Sequence, residues 1–310
     1  MTSISVIVPS AGRGALLEQC LSSLASQEHP PDEIIVVHPE DDAGPAEIVA
    51  RLAHQHRIAR IAIPDRSQVR ALNAGVARAT GDIVAMTDDD AAPRPWWIAS
   101  IVRHLEDDPE LVGIGGRDLI DGTDVPAAER QRAVGRISRT GRRIGNHHLG
   151  CGPPRDVHVL KGVNMAFRRD WLGDEPFDLG LLGDGAESHN DLDVSLQMIR
   201  RGGRLRYDPD LLVDHYAGHS DGAHRRTTEL AAYASAHNEV RAVRRNLGRQ
   251  AAIGNVLWGF GVGVPLAPGL YHAVRSLPTH GLADAASILA AATRGRISGW
   301  RSTTTTPRAR

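Results

Sequence analysis

Three consecutive carboxylates, Asp88-Asp89-Asp90, close the apolar run Ile83-Val84-Ala85-Met86-Thr87. Side by side they repel, and burying them unpaired is very costly. Solvent or a hard divalent cation relieves that cost. Mg²⁺ and Mn²⁺ prefer carboxylate oxygen and keep part of their shell for water and substrate phosphates. Asp88 and Asp90, spaced Asp-x-Asp at a strand end, therefore mark a candidate metal–diphosphate site. A solvated acidic turn is the competing reading. The elements that hold the cluster decide between the two.

Those elements alternate. Ile4 to Val8 is a β-rich run stopped by Pro9-Ser10, and Leu16 to Gln27 has helical spacing at Leu17, Leu21 and Leu24. Glu33 to Val37 reads as a second strand, Ala46 to His56 as a helix and Ile58 to Ile63 as a third strand. Val69 to Ala79 reads as a helix, and Ile83 to Met86 as a fourth strand. Strand alternating with helix predicts right-handed βαβ units on a mostly parallel sheet. Ligands of such sheets sit beyond the carboxyl ends of the strands. Pro9-Ser10, His38-Pro39-Glu40 and the acidic cluster all fall there.

Further along, Trp96 to Asp107 reads as a helix and Leu111 to Gly115 as a short strand. The stretch from Asp118 to Pro154 is loop-like and long, which marks functional loops. Val157 to Phe167 is ordered, Asp191 to Arg201 is a helix, and Leu205 to Tyr207 and Leu211 to Asp214 are short strands. Thr227 to Asn246 is an Arg-studded amphipathic helix. Ala251 to Leu270 then carries no charge, but glycines and prolines interrupt it. A membrane-surface or hairpin segment, packing on the globular part or on another subunit (a homodimer), and a true span are its three readings. Thr303 to Arg310 reads as a disordered end.

The 310 residues carry 36 basic and 37 acidic side chains, so no global field points to nucleic acid. Cys20 and Cys151, far apart in sequence, suit a reducing compartment. The apolar run Ile4 to Val8 is too short for a signal peptide, so a cytoplasmic location is expected, with the inner face of the cell membrane admitted by the tail.

An ordered set of segments resembles the family 2 glycosyltransferases, which have the GT-A fold. It comprises Val6-Ile7-Val8-Pro9, Arg70-Ala71-Leu72-Asn73-Ala74-Gly75, Ala79-Thr80-Gly81-Asp82-Ile83-Val84 and Thr87-Asp88-Asp89-Asp90 with Pro93 and Trp97. It continues with Lys161-Gly162-Val163-Asn164-Met165-Ala166-Phe167-Arg168-Arg169, Asn190-Asp191-Leu192-Asp193, Tyr207-Asp208-Pro209 and His215. The resemblance implies an α/β, GT-A (Rossmann-like) domain over 1–220, with a nucleotide-binding half (1–95) and an acceptor-binding half (96–220). A C-terminal helical, partly apolar extension over 221–310 follows. It implies inversion at the anomeric carbon of a nucleotide-diphosphate sugar with Mn²⁺ or Mg²⁺.

By that resemblance Asp88, Asp90 and His215 hold the metal, with His219 a competitor for His215, and Asp89 orients the ligands or contacts the ribose. Asp191 is the general base. Its competing reading is a helix cap, and Asp184 and Glu187 are lower-ranked bases. Pro9, Ser10, Arg70 and Asn73 face the nucleotide, with a surface Arg and a helix cap the competing readings of the last two, and Gly162 and Asn164 face the transferred sugar, with a packed strand and a Gly bulge as the alternative. The family keeps an Asp after the second strand to read the base. This chain has His38 there, so Glu40, Asp42 or backbone near Pro9 takes that part, and the nucleotide stays open. The acceptor is expected to be a cell-envelope glycan or lipid-linked saccharide. A sugar-phosphate nucleotidyltransferase, suggested by Gly12-Arg13-Gly14, and a non-catalytic membrane-associated nucleotide-sugar-binding protein are the alternatives. Asn164 to Arg169 and Asn190 to Asp193 argue against the first, and intact Asp88, Asp90 and Asp191 against the second.

Overall fold

In a computed structural model of the chain, the described residues are 2–12, 14–52, 57–138, 141–216 and 228–302. The first half alternates as expected: β1 (Ile4–Pro9), α1 (Gly14–Ala25), β2 (Glu33–Pro39), α2 (Ala43–Leu52), β3 (Ile58–Ile63), α3 (Gln68–Arg78) and β4 (Ile83–Met86). The second half adds β5 (Ala91–Pro93), α4 (Trp97–Asp107), β6 (Leu111–Ile120), β7 (Arg136–Ile137), β8 (Arg143–Ile144), β9 (Arg155–Val157), β10 (Met165–Arg168), α5 (Arg169–Leu172), α6 (Asn190–Arg200) and β11 (Arg204–His215). The tail is α7 (Glu229–Gly261), β12 (Gly263–Val264), β13 (Ala267–Pro268) and α8 (Leu270–Arg301).

The main sheet has the order β3-β2-β1-β4-β10-β6-β11-β5, with β9 paired on β11. β1 to β4 are mutually parallel, and β10 enters antiparallel between β4 and β6. Strand alternation sorts the core onto two faces. Val6 and Val8 pack with Leu17 and Leu21 of α1 and with Trp97 and Ile98 of α4. Ile7 packs on the other face with Val69 and Leu72 of α3 and Val194 of α6. Helices on both faces explain why β1 and β2 are buried almost end to end.

Several boundaries differ from the sequence expectation. The strand expected over Leu111 to Gly115 continues to Ile120, drawing the start of the long loop into the sheet. The remainder of that loop holds the small β7–β8 hairpin. The order expected over Val157 to Phe167 takes the form of the end of β9, a turn and the start of β10. The two short strands expected at Leu205 and Leu211 are one strand, β11, with a register shift between Asp208 and Leu212 against β6. Pro209 has no N–H to donate, which is why a bulge sits there. At this crossing a Cβ on Gly116 would collide with the Leu211 carbonyl, so only glycine fits. His219, the end of the helix expected to reach His56, and the expected disordered end at Thr303 to Arg310 lie outside the described residues.

The helix expected to end at Asn246 continues, kinked at Gly248, to Gly261, and turns back through β12–β13 into α8. Gly295 and Gly299 of α8 lie against the carbonyls of Tyr233 and His237 of α7, so the absence of side chains lets the two helices approach closely. Among the described residues no helix is long and apolar enough to cross a membrane. The true-span reading of Ala251 to Leu270 therefore fails. The glycines and prolines that interrupt the segment build a tight turn between two helices instead. α7 lies on α6 through Leu192, Leu196, Ala242 and Val243. Buried charge reinforces the contact. Arg241 donates to Asp178 at 2.7 and 3.0 Å, and Arg245 bridges Asp178 and Asp193 at 3.1 Å each. Asn246 donates to Asp193 at 2.7 Å.

Candidate active site

The carboxyl ends of β1, β2, β3 and β4 open into a cleft of about 620 Å³. Its far wall is built by the turn before β10, the N-terminus of α6 and the end of β11. That volume is within the usual range for a small-ligand site. The acidic cluster lies at its centre. Asp88, Asp90 and His215 each offer a ligand atom, and these atoms lie within 4.8 Å of one another. Antiparallel pairing of β5 with the end of β11, His215 against Ala91, brings His215 to the cluster across 125 residues of chain.

The ring of His215 sits between carboxylates. Its Nε2 is 3.4 Å from Asp90 Oδ1 and its Nδ1 is 3.5 Å from Asp118 Oδ2. Burial lowers the affinity of the ring for its proton, but Asp118 and Asp90 outweigh burial and raise its pKa to about 9. Asp118 itself is fully buried, and His215 and Lys161 hold its carboxyl well below the usual range against the effect of burial. Three carboxylates thus converge on one point that demands positive charge. Two carboxylates and an imidazole are a donor set that Mn²⁺ or Mg²⁺ accepts, so the residues present fit a divalent cation.

Asp89 faces the other way. It is buried and accepts from Ser10 Oγ at 2.8 Å and from the Ala11 amide at 3.3 Å, tying the loop after β1 to the end of β4. Thr87 Oγ1 donates to the Val163 carbonyl at 2.9 Å, which fixes the turn before β10 to the same point.

Asp191 stands on the opposite wall, at the first turn of α6. Its Oδ1 accepts from the Leu192 amide at 2.7 Å and its Oδ2 from the Gly162 amide at 3.4 Å. The residue is half-buried, so the carboxylate is fixed yet open to the cleft. Glu187 lines the cleft too, but it is buried and accepts from the Val69 amide at 3.3 Å at the start of α3. Asp184 is exposed and does not line the cleft. His189 adopts φ 69°, a left-handed conformation, and its Nε2 is 2.9 Å from Ser235 Oγ of α7. α7 thereby braces the residue two places before Asp191.

Pro9, Ser10, Gly162 and the acidic cluster line the cleft as expected. Five other expected residues do not. Asn164 is completely buried. It accepts from Trp97 Nε1 at 2.9 Å and donates to the carbonyls of Leu211 at 2.8 Å and Arg117 at 3.3 Å, so it clamps β10, β6 and β11 behind the site. Asn73 exchanges two bonds with the backbone of Phe177, at 2.9 and 3.0 Å, and holds that loop to α3. Arg70 pairs with Asp65 at 3.1 Å on the outer side of α3. Glu40 is exposed beyond the rim. Asp42 binds the amides of Gly12 and Gly44 and is spent on loop structure. Asn164→Ala should therefore destabilise the fold by about 3 kcal/mol, leaving two carbonyls and an indole N–H without partners. Denaturant unfolding measures that, and donor KM of the folded fraction should not change.

At the end of β2, His38 lines the cleft where Glu40 and Asp42 do not. Its Nδ1 is 2.8 Å from the Pro39 carbonyl, which makes Nδ1 the donor and Nε2 the acceptor. That Nε2 is buried in the cleft wall with no hydrogen-bond partner among the described residues. Lys161 and Arg143 also line the cleft, and Arg143 lies 3.9 Å from the buried Glu239 of α7. Sequence spacing gave no signal for Asp118, Lys161 or Arg143 as a group, because the sheet and α7 bring them together.

The fold is shared with solved glycosyltransferases. The mannosyltransferase PcManGT from Pyrobaculum calidifontis, solved with GDP-Man and Mn²⁺, superposes at TM-score 0.62 with 19% identity, covering 97% of this chain and 87% of that one. GalNAc-T7, solved with UDP, GalNAc and Mn²⁺, gives 0.56 at 18% identity over 79% of this chain and 48% of that one. In sequence, a pre-mycofactocin glycosyltransferase of Mycobacterium tuberculosis is 28% identical over 147 residues, 47% of this chain and 29% of its own length. A glucosyl-dolichyl phosphate glucuronosyltransferase of Haloferax volcanii is 28% identical over 146 residues, 46% of this chain and 45% of its own. The chain thus spans less than half the length of these curated relatives. The model of Glycosyl transferase family 2 matches residues 5–174, more than half of the sequence, and the chain belongs to that family.

Proposed function

We propose that the protein is a metal-dependent, inverting glycosyltransferase. It moves a sugar from a nucleotide-diphosphate donor to a hydroxyl of a cell-envelope glycan or lipid-linked saccharide. The observation that carries this reading is one cleft with Asp88, Asp90 and His215 on one wall and Asp191 on the other. Neighbours of the same fold were solved with nucleotide sugars or nucleotides and Mn²⁺, which supports the donor class.

A divalent cation held by Asp88, Asp90 and His215 would supply Lewis-acid stabilisation of the departing diphosphate. The chain's own residues do the rest. Asp191, fixed by the Leu192 and Gly162 amides, accepts the proton of the acceptor hydroxyl. As that oxygen bonds to the anomeric carbon, the carbon–oxygen bond to the diphosphate breaks and the configuration inverts. His38 Nε2 accepts from an N–H of the nucleobase, a feature that uracil, thymine and guanine all offer. Asp89 and Ser10 fix the loop over which the nucleoside lies.

The test is a thermal-shift screen of nucleotide sugars with Mn²⁺. A ligand at 100 times its Kd stabilises by about 2.7 kcal/mol, enough to raise Tm measurably. No shift with any nucleotide sugar in the presence of Mn²⁺ would overturn the proposal.

A further inference from the structure

The turn end of the α7–α8 pair presents an apolar surface that none of the described residues covers. Leu257, Leu270 and Val274 are 66, 61 and 56% exposed, and Ile253, Phe260 and Tyr271 are exposed beside them. Ile253, Leu257 and Phe260 recur at helical spacing on α7, and Leu270, Tyr271 and Val274 begin α8. A soluble surface seldom leaves so many large apolar side chains together without a partner.

The charge around the patch is of one sign. No Asp or Glu occurs anywhere from Val240 to Ala283. Arg241, Arg244 and Arg245 in that stretch are taken up inside the molecule, by Asp178, by Asp193 and by the Trp300 carbonyl. Arg249 and Arg275 remain exposed, and Arg142 of the β7–β8 hairpin lies 6.0 Å over the ring of Trp258. Apolar side chains in a stretch that carries arginine and no carboxylate suit a surface that is apolar inside and negative outside. A second copy of the same face fits poorly, since it would set arginine against arginine with no carboxylate between.

We infer that this end of the α7–α8 pair docks on the surface of an anionic lipid bilayer. The apolar side chains enter the headgroup boundary and Arg142, Arg249 and Arg275 meet the lipid phosphates. The helices lie on the membrane, as neither is apolar enough to span it. Docking also places the cleft. Asn255 of α7 donates to the Gly141 carbonyl at 2.9 Å, and Arg143, two residues on, lines the cleft beside Asp191. The acceptor side of the site would then open close to the bilayer, which selects a lipid-linked acceptor. That last step rests on the transferase reading, whereas the docking surface does not.

Flotation of the full chain with vesicles tests the surface. It should float with phosphatidylcholine–phosphatidylglycerol vesicles and not with phosphatidylcholine alone, and high salt should weaken binding. The double variant Leu257→Glu, Val274→Glu should bind at least about tenfold more weakly, since two leucine- or valine-sized groups no longer enter the apolar zone. Its Tm and its donor-induced thermal shift should match the parent, which separates failure of docking from failure of the fold or of the transferase reading. Equal binding to neutral vesicles would overturn the inference, as would no flotation at all. A dimer in sedimentation that the same double variant dissociates, without vesicle binding, would assign the face to a second copy instead.

Discussion

Asp90→Ala should abolish Mn²⁺-dependent donor binding and lower transfer by at least about 10³. Asp90 contributes a ligand atom to the cluster and holds His215 at 3.4 Å. With it removed, Asp88 and His215 are left as a pair, too few to keep a divalent ion in place against water. The diphosphate then departs without a positive charge to receive it. Charge stabilisation of this kind is worth several kcal/mol, and each 1.36 kcal/mol is a factor of ten in rate. The metal-free fold should barely change, because the substitution also relieves repulsion between neighbouring carboxylates. Calorimetric Mn²⁺ titration, donor-induced thermal shift and a transfer assay check the three parts. Retained Mn²⁺ stimulation would remove Asp90 from the metal site.

Asp191→Asn should act on a different quantity. The amide keeps one oxygen, which can still accept from the Leu192 amide, while its NH2 replaces the oxygen that accepts the longer bond from the Gly162 amide, so the start of α6 should be largely preserved. What it loses is the capacity to take a proton. Removing a positioned base costs typically 10² to 10⁴ in rate. kcat should fall within that range while the donor-induced thermal shift stays near that of the parent. If donor binding collapsed together with kcat, Asp191 would be a structural cap and the base would have to be sought at Glu187. Together the two variants separate the halves of the cleft: one change affects binding and rate, the other rate alone.

The first half of the fold was readable because its signals are local. Ile83 to Met86 is both the expected and the observed β4, and the neighbouring elements fall within a few residues of expectation. Short apolar runs punctuated by Pro and Gly leave little freedom in a βαβ rhythm. In the candidate metal cluster, Asp88 and Asp90 stood out at a strand end, whereas His215 was added by family resemblance, since its approach to Asp90 is a long-range contact. Asn164 and Asn73 were misplaced because sequence gives the segment and not the direction of a side chain. Both lie in segments that border the cleft, and both turn away from it to satisfy backbone groups. Asp118 and Arg143 were missed because their partners lie far along the chain: Lys161 and His215 for one, Glu239 for the other. β11 was split in two because Pro209 looks like a stop, although a bulge lets the strand continue past it.

The bridge that Arg245 makes between Asp178 and Asp193 has a bearing on how the molecule comes apart. Asp193 lies two residues beyond Asp191 on α6, is fully buried, and has its counter-ion on α7. A division of the chain near residue 220 looks natural in the sequence. A fragment truncated there would nevertheless lose the arginines that pair Asp178 and Asp193, with Leu192 and Leu196 stripped of their cover. Uncovering a buried leucine costs about 1.5–3 kcal/mol, so two are a large share of the stability of an ordinary domain. Helix α7 is thus less a detachable appendage than a splint. Unfolding should proceed as one cooperative transition, and α6 should hold its place only while α7 is wound against it.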